Sequence, residues 1–317
     1  MKRIFVIFAL AATLVGCAKE DIVREAPRQA IGFGNPFIEN STRVDYSSTF
    51  INAFKVYGTV IGNGNTVTIY NGADVTRGTA AYGEAWTCGQ TEYWLPSASY
   101  NFQAVVDGEI ADGKIAYTVG QDKGGDGISD LLYAAASAST DANAAPTGDL
   151  QNGNVAFNFQ HLLSKVGFTF TNGVSESTKY TFEVTAVSFK GHDLNGTYTI
   201  EGRAWDSAYN ASTTALSFDV PANNVVTTTA PVAATTTHQI IPGNQTLAIA
   251  VTYDIIYDGN KVYVGETAEK TLEYDFAKNN VYNIVVKLPA PGQPITFTVE
   301  STGVTGWENN GTATELK

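Results

Sequence analysis

Nucleophiles, acids and metal ligands are scarce in this chain, and their spacing speaks against catalysis. The two cysteines are Cys17 and Cys88, and the three histidines, His161, His192 and His238, stand 31 and 46 residues apart. No ligand spacing links them, and once Cys17 is set aside the remaining thiol cannot close an intramolecular disulfide. Hydrolysis by a nucleophile needs a hydroxyl or thiol beside an imidazole that a carboxylate orients, or else paired carboxylates across a groove, and neither is legible. Asp122, Asp126 and Asp130 around Gly124, Gly125 and Gly127 invite a calcium reading. An EF-hand loop needs oxygen ligands at alternate positions before its glycine. Gly124 occupies one of those positions, so a surface turn with a helix cap at Ser129 or Asp130 is the simpler reading. His161 is expected to pack at a domain junction and His192 to lie in the turn Gly191-His192-Asp193. Trp86, Trp94, Trp205 and Trp307 are expected in the core or at a domain interface rather than on an exposed sugar platform. No enzyme activity, metal or cofactor is expected, and Cys88 reads as a small buried hydrophobe.

Composition points the same way. The 317 residues carry a formal charge of −12, only 16% are charged, and Gly 30, Tyr 16 and Phe 16 make up much of the balance. That is the usage of sheets and turns. An acidic chain without clustered Lys and Arg has no electrostatic footprint for nucleic acid.

The first residues read as export chemistry. Met1-Lys2-Arg3 precedes an apolar run from Ile4 to Val15, too short for a span of roughly 20 residues, and Leu14-Val15-Gly16-Cys17 resembles a bacterial lipobox. Cleavage before Cys17 would remove Lys2 and Arg3, moving the charge from −12 to −14. Acyl chains on Cys17 would then tether the protein to a membrane without spanning it. Ala18-Lys19-Glu20-Asp21 resembles the acidic signal that sends Bacteroidetes lipoproteins to the cell surface. The expected divisions are a signal peptide over 1–16, a lipidated tether over 17–29, and domains over 30–164 and 165–317.

From Ala30 onward the elements that must position any site show period-2 alternation bounded by Gly, Asn, Asp and Pro. Tyr100, Phe102, Ala104 and Val106 form one face, closed by Asp107-Gly108. Tyr180, Phe182, Val184 and Ala186 alternate before the apolar phase passes to Val187 and Phe189, which predicts a bulge near Ala186-Val187. Asp258-Gly259 predicts a tight turn. Leu272, Tyr274 and Phe276 are expected to pair with Tyr282, Ile284, Val286 and Leu288 across Asn279-Asn280. Helical periodicity is confined to Ser129–Ser139 and a short turn over Gln160–Ser164. Short strands at close spacing predict an all-β chain of two tandem β-sandwiches.

Several of these residues carry a resemblance. Ala30-Ile31-Gly32-Phe33, Ser41-Thr42-Arg43-Val44, Tyr93-Trp94-Leu95-Pro96 and above all Phe157-Asn158-Phe159-Gln160-His161-Leu162-Leu163-Ser164-Lys165-Val166 are similar to the fimbrillin-like surface lipoproteins of Bacteroidetes, the subunits of type V pili. The resemblance implies two transthyretin-like sandwiches and an outer-membrane, lipid-anchored pilin. An Arg-specific surface protease would remove the first strand, and a strand from another fimbrial subunit would replace it. On that reading Arg43-Val44 is the maturation site, because cutting after Arg24 or Arg28 leaves Ile31, Phe33 and Phe37 in place. Those three form the plug strand. Ile295, Phe297 and Val299, beyond Pro289, Pro291 and Pro294, form the donor strand. The alternative is a non-polymerising surface lipoprotein whose loops bind glycan or host protein.

The lipobox makes its own prediction. Metabolic labelling with a fatty acid tags the protein, and Cys17→Ala abolishes the tag and releases the chain from membranes; labelling that survives the substitution would refute the lipidation.

Overall fold

The structure, a computed structural model, describes residues 29–38, 51–77, 86–120, 130–174, 178–206, 211–303 and 312–315. Cys17, Arg43, Val44, Asp122, Asp126 and Trp307 lie outside them. Every regular element among the described residues is a strand, so the chain is all-β.

The first half contains β1 (Phe37–Ile38), β2 (Ala53–Gly62), β3 (Asn65–Thr76), β4 (Thr87–Cys88), β5 (Ser99–Val106), β6 (Lys114–Thr118), β7 (Leu132–Thr140), β8 (Pro146–Gly148), β9 (Leu150–Gln151), β10 (Asn154–Val155) and β11 (Asn158–His161). One sheet takes the order β1-β11-β7-β5-β2-β3-β4, with β8 added on β7. Asn63 and Gly64, at φ 51° and 76°, close the β2–β3 hairpin as its twist requires. Tyr100, Phe102 and Ala104 turn inward as the alternation predicts. They meet Phe54, Val56 and Tyr70 in an aromatic core. Gly58 makes room for it, since a Cβ there would lie 2.9 Å from the Tyr70 ring and 3.0 Å from that of Phe102.

The expected helix over Ser129–Ser139 does not form: Ser129 lies outside the described residues, and from Leu132 onward the chain is strand β7. Its alanines have helical propensity, yet Ala134, Ala136 and Ala138 stand opposite Ala104, Phe102 and Tyr100, where small residues fit beside large rings. Cross-strand packing overrides local preference. The expected turn over Gln160–Ser164 likewise gives way to the end of β11 and the start of the next strand.

The second half continues with β12 (Ser164–Asn172), β13 (Tyr180–Lys190), β14 (Asn195–Thr199), β15 (Ala204–Trp205), β16 (Leu216–Phe218), β17 (Val225–Val226), β18 (Val232–Ala233), β19 (His238–Ile240), β20 (Gly243–Tyr257), β21 (Asn260–Phe276), β22 (Asn280–Leu288), β23 (Thr296–Gly303) and β24 (Thr312–Glu315). Two sheets, β18-β12-β22-β23-β24 with β19 on β12 and β16-β13-β20-β21 with β17 on β13, enclose one core. The bulge falls between Val184 and Ala186, slightly before its expected place, and it switches the buried phase from Val184 to Val187. Asp258 and Gly259, at φ 49° and 82°, make the expected turn. The expected β21–β22 pairing does not form: β21 pairs with β20, while β22 lies parallel to β12 in the facing sheet. Phe276 and Tyr282 therefore meet across the core, with ring centroids 5.0 Å apart.

A third, smaller sheet, β15-β14-β6, joins the halves. Around it Val105, Leu131, Leu162, Leu163, Tyr198 and Ile241 are buried together.

His192, read from sequence as a turn residue, is fully buried, its ring 5.1 Å from that of Phe189 and both ring nitrogens without a hydrogen-bond partner. Burial, and secondarily the charge of His238, pushes its pKa from 6.5 down to about 4. Below pH 6.5 the unfolded chain takes up a proton that the folded chain refuses until about pH 4. Stability is complete above that window and falls as pH drops through it, by about 2–3 kcal/mol at pH 4.5. Urea midpoints measured between pH 7.5 and 4.5 check this, and His192→Leu flattens the dependence.

Candidate functional site

The residues expected to exchange strands occupy well-defined places. Residues 29–34 run as an extended segment opposite the large sheet of the first half. Ile31 and Phe33 are buried. The Phe33 ring lies 5.4 Å from Tyr70, 6.1 Å from Phe102, 6.4 Å from Phe54 and 6.0 Å from Phe157. Most of these pairs are edge-on, the favoured geometry for aromatic quadrupoles.

The main chain of the segment is paired on both sides. Toward one flank, the Ile31 amide donates to Glu92 O at 2.8 Å, while Phe33 O and Gln29 O accept from Trp86 at 2.8 Å and Trp94 at 3.0 Å. Toward the other, the Val155 amide donates to Gly32 O at 2.8 Å and the Gly34 amide to Val155 O at 2.9 Å. The segment is thus the middle strand of an irregular second layer. Asn35-Pro36 is where it leaves that layer, and Phe37-Ile38 then adds as β1, parallel to β11, at the edge of the large sheet. A proline without a donor suits that crossing. Asn35 is a residue the sequence reading missed: its side-chain oxygen accepts from the Trp86 indole at 2.8 Å, inside the core. The available signal was Trp86 itself, because a buried indole N–H needs an acceptor.

At the other end of the chain, Ile295, just before β23, and Phe297 and Val299, on it, are buried in the core of the second half, and β23 lies between β22 and β24. Thr296 points outward. Lys270 Nζ stands 5.5 Å from the centre of the Phe297 ring. Pro289, Pro291 and Pro294 form the connection from β22, with Gly292 at φ 78°.

Between these two sites lies the motif Phe157–Val166, which threads all three buried clusters. Phe157 and Phe159 belong to the first core, Leu162 and Leu163 to the junction, and Val166 to the second core. His161 is buried at this junction, its Nδ1 in close contact with Asp130 Oδ2. Asp130 is therefore a buried partner of His161 rather than a surface helix cap. Trp205 donates to Leu162 O at 2.7 Å across the same seam. Trp86 and Trp94 are buried and Trp205 is half-buried. Cys88 is half-buried on β4 rather than sealed in the core, and burial pushes its thiol pKa up.

Phe33→Ala removes the ring at the centre of the first core and is expected to cost about 3–5 kcal/mol. A urea titration of the uncleaved chain reads this directly, and a loss under about 1 kcal/mol would mean that the segment packs only weakly.

No curated protein sequence matches the chain. Among solved structures it is similar to a fimbrial protein from Bacteroides vulgatus, with 16% identity and TM-score 0.60 over 87% of this chain and 99% of that one. A candidate cell adhesion protein from Bacteroides ovatus gives 16% identity and TM-score 0.55 over 86% and 96%. One from Bacteroides uniformis gives 15% and 0.51 over 87% and 98%. At such identities the likeness establishes a shared fold. The model of the fimbrillin-like family matches residues 42–307, most of the chain, and the chain belongs to that family.

Proposed function

We propose that the chain is a structural or accessory subunit of a cell-surface fimbria, exported as an outer-membrane lipoprotein through Cys17 and assembled by protease-triggered strand exchange. The supporting observation is the plug, a segment near the N-terminus that fills an aromatic core and is hydrogen-bonded on both sides. Arg43-Val44 follows it in sequence, so one cut by an Arg-specific surface protease frees Ile31, Phe33 and Phe37 together. What remains is a strand-shaped groove with unpaired main-chain groups at Trp86, Glu92, Trp94 and Val155. An incoming strand with alternating apolar residues satisfies both needs, its backbone giving affinity and its side chains register.

Ile295, Phe297 and Val299 of another subunit have that alternation. Each such side chain contributes roughly 1.5–3 kcal/mol when buried. β23 first has to leave its own core, so exchange replaces one set of contacts with a similar set, and loss of the plug makes the replacement one-way. Pro289–Pro294 serves as the hinge. The two domains of this reading are residues 30–164 and 165–317, its partners are other fimbrial subunits, and its work is assembly rather than catalysis.

A cysteine staple tests it without disturbing the core. Val285 and Thr298 stand opposite each other on β22 and β23, and both are half-buried. Val285→Cys with Thr298→Cys, in a Cys88→Ser background, locks β23 at home when oxidised. After limited trypsin treatment the oxidised protein stays monomeric by electron microscopy, reduction restores fibres, and mass spectrometry finds chains beginning at Val44. Fibres from the oxidised staple would remove β23 from the donor role. Mature chains that still carry acylated Cys17 would favour the non-polymerising lipoprotein, with exposed Tyr257 and Tyr263 as its contact surface.

A further inference from the structure

The seam between the halves holds a cleft of about 450 Å³, where β15 approaches the junction ends of β20 and β21. Arg203, Trp205 and Asp206 line it from β15 and its flanks, and Asn244, Asp275 and Lys278 line it from the second half. Neither the plug segment nor β23 borders it. Its size falls within the roughly 300–1,000 Å³ of small-ligand sites.

The side chains around the cleft are held in place before any ligand arrives. Trp205 is half-buried, its indole N–H donates to Leu162 O at 2.7 Å, and its ring lies 5.6 Å from that of Tyr198. It also lies against Gly196, where a Cβ would come within 2.9 Å of the indole. Lys278 Nζ donates to the Tyr198 hydroxyl at 2.8 Å and stands 4.9 Å from the centre of that ring. Asn244 and Asp275 are exposed and directly opposite in the β20–β21 register, which sets an amide beside a carboxylate on one face. Gln245, 3% exposed, also lines the cleft; it accepts the Asp193 amide at 3.1 Å and donates to Ile241 O. A polar lining fixed in this way is preorganised for a polar ligand.

Backbone strain falls at the same place. Among the described residues nine non-glycine residues have positive φ, and six of them are Asn or Asp, which tolerate it. Arg203, at φ 51°, is the one long side chain of the nine. Strain of this kind persists where the position of a side chain matters.

The chemistry of the lining selects a ligand class. Charge nearly cancels, Asp193, Asp206 and Asp275 standing against Arg203 and Lys278, which favours neither a polyanion nor a polycation. Among the described residues no three His, Cys, Asp or Glu side chains are grouped to hold a metal ion. One flat ring among amide, carboxylate and cationic groups suits a sugar ring, whose C–H face lies on the indole while its hydroxyls donate to carboxylates and accept from Arg203 and Lys278. We propose that the seam cleft binds a neutral oligosaccharide, with Trp205 as the platform and Asp206, Asn244 and Asp275 as partners for its hydroxyls. Asp206 also borders a second cleft, of about 510 Å³, over Thr118, Asn195 and Thr197, so the ligand extends beyond one ring. The site stands whether or not strands are exchanged.

Calorimetric titration of the purified full chain tests this with cellohexaose, maltohexaose, xylohexaose, mannohexaose and chitohexaose, and with hexagalacturonate as the acidic counterpart. At least one neutral hexamer binds. Asn244→Ala and Asp206→Ala, both at exposed positions, each weaken it about tenfold, the loss of one or two hydrogen bonds, with urea midpoints unchanged. Thr271→Ala, on the exposed middle of β21, leaves the affinity as it is. Binding also shifts the tryptophan fluorescence, and Trp205→Phe removes that shift. The proposal is overturned when no neutral hexamer binds, when both alanine variants bind as tightly as the wild type, or when hexagalacturonate binds more tightly than every neutral hexamer.

Discussion

A strand buried inside a protein must have its amides and carbonyls paired, and that constraint organises the first half of this molecule. The large sheet has one inward face, rich in aromatic rings, that needs a second layer. The sequence supplies only fragments for it: the hairpin of β9 and β10, the stretch from Trp86 to Trp94, and the segment over 29–34 between them. Without the middle piece the two outer fragments lose partners for five main-chain hydrogen bonds, and the aromatic core loses Ile31 and Phe33. Each unpaired buried group costs about 1–3 kcal/mol. The empty state is therefore unfavourable in a specific way that only another extended, alternating segment relieves.

The same logic explains why Phe157–Val166 is the most recognisable stretch of the chain. Ten consecutive residues serve three buried environments in turn, so nearly every side chain has a packing duty. His161 and Asp130 sit at the change of environment. A charged or polar group buried at such a point is costly alone and tolerable with a partner. In sequence His161 reads as a junction residue, whereas Asp130 hides among the turn residues around Gly124–Gly127. Its partner is 31 positions away, and no local pattern announces that pairing.

What was legible followed period 2. The inward faces of β5 and β13, the Asp258-Gly259 turn and the alternation of Ile295, Phe297 and Val299 could be read because each is a local signal. What failed required knowledge of neighbours. Ala134, Ala136 and Ala138 read as helix until Tyr100 and Phe102 are placed opposite them. The apolar runs of β21 and β22 read as a hairpin because they are adjacent in sequence, yet Ala277–Asn279 carries the chain from one sheet to the other. A repeated device was also invisible: the hydroxyl of Tyr100 accepts the Leu95 amide and that of Tyr282 accepts the Ala277 amide, five residues upstream in both halves. Each tyrosine fixes the turn that launches its own strand, in the manner of a tyrosine corner.

The junction sets what such a subunit can bear. In both halves the principal strands run between the junction and a free end, as the pairings of β2 with β5 and of β20 with β13 require. A pull applied at the two free ends therefore loads those ladders in shear, where many hydrogen bonds must break together although each alone is worth only about 1 kcal/mol. The covalent link between the halves is short, only Leu162-Leu163 separating β11 from β12. It is backed by the ladder between β6 and β14, by the Trp205 hydrogen bond and by the Asn279 amide donating to Leu163 O at 3.0 Å. The two cores thus resist bending at the seam through main-chain bonds rather than through side-chain contact alone. Under the strand-exchange proposal, a chain that presents a groove at one end and a strand at the other needs that stiffness, because flexing at the seam would misalign two sites that have to meet their counterparts on neighbouring copies.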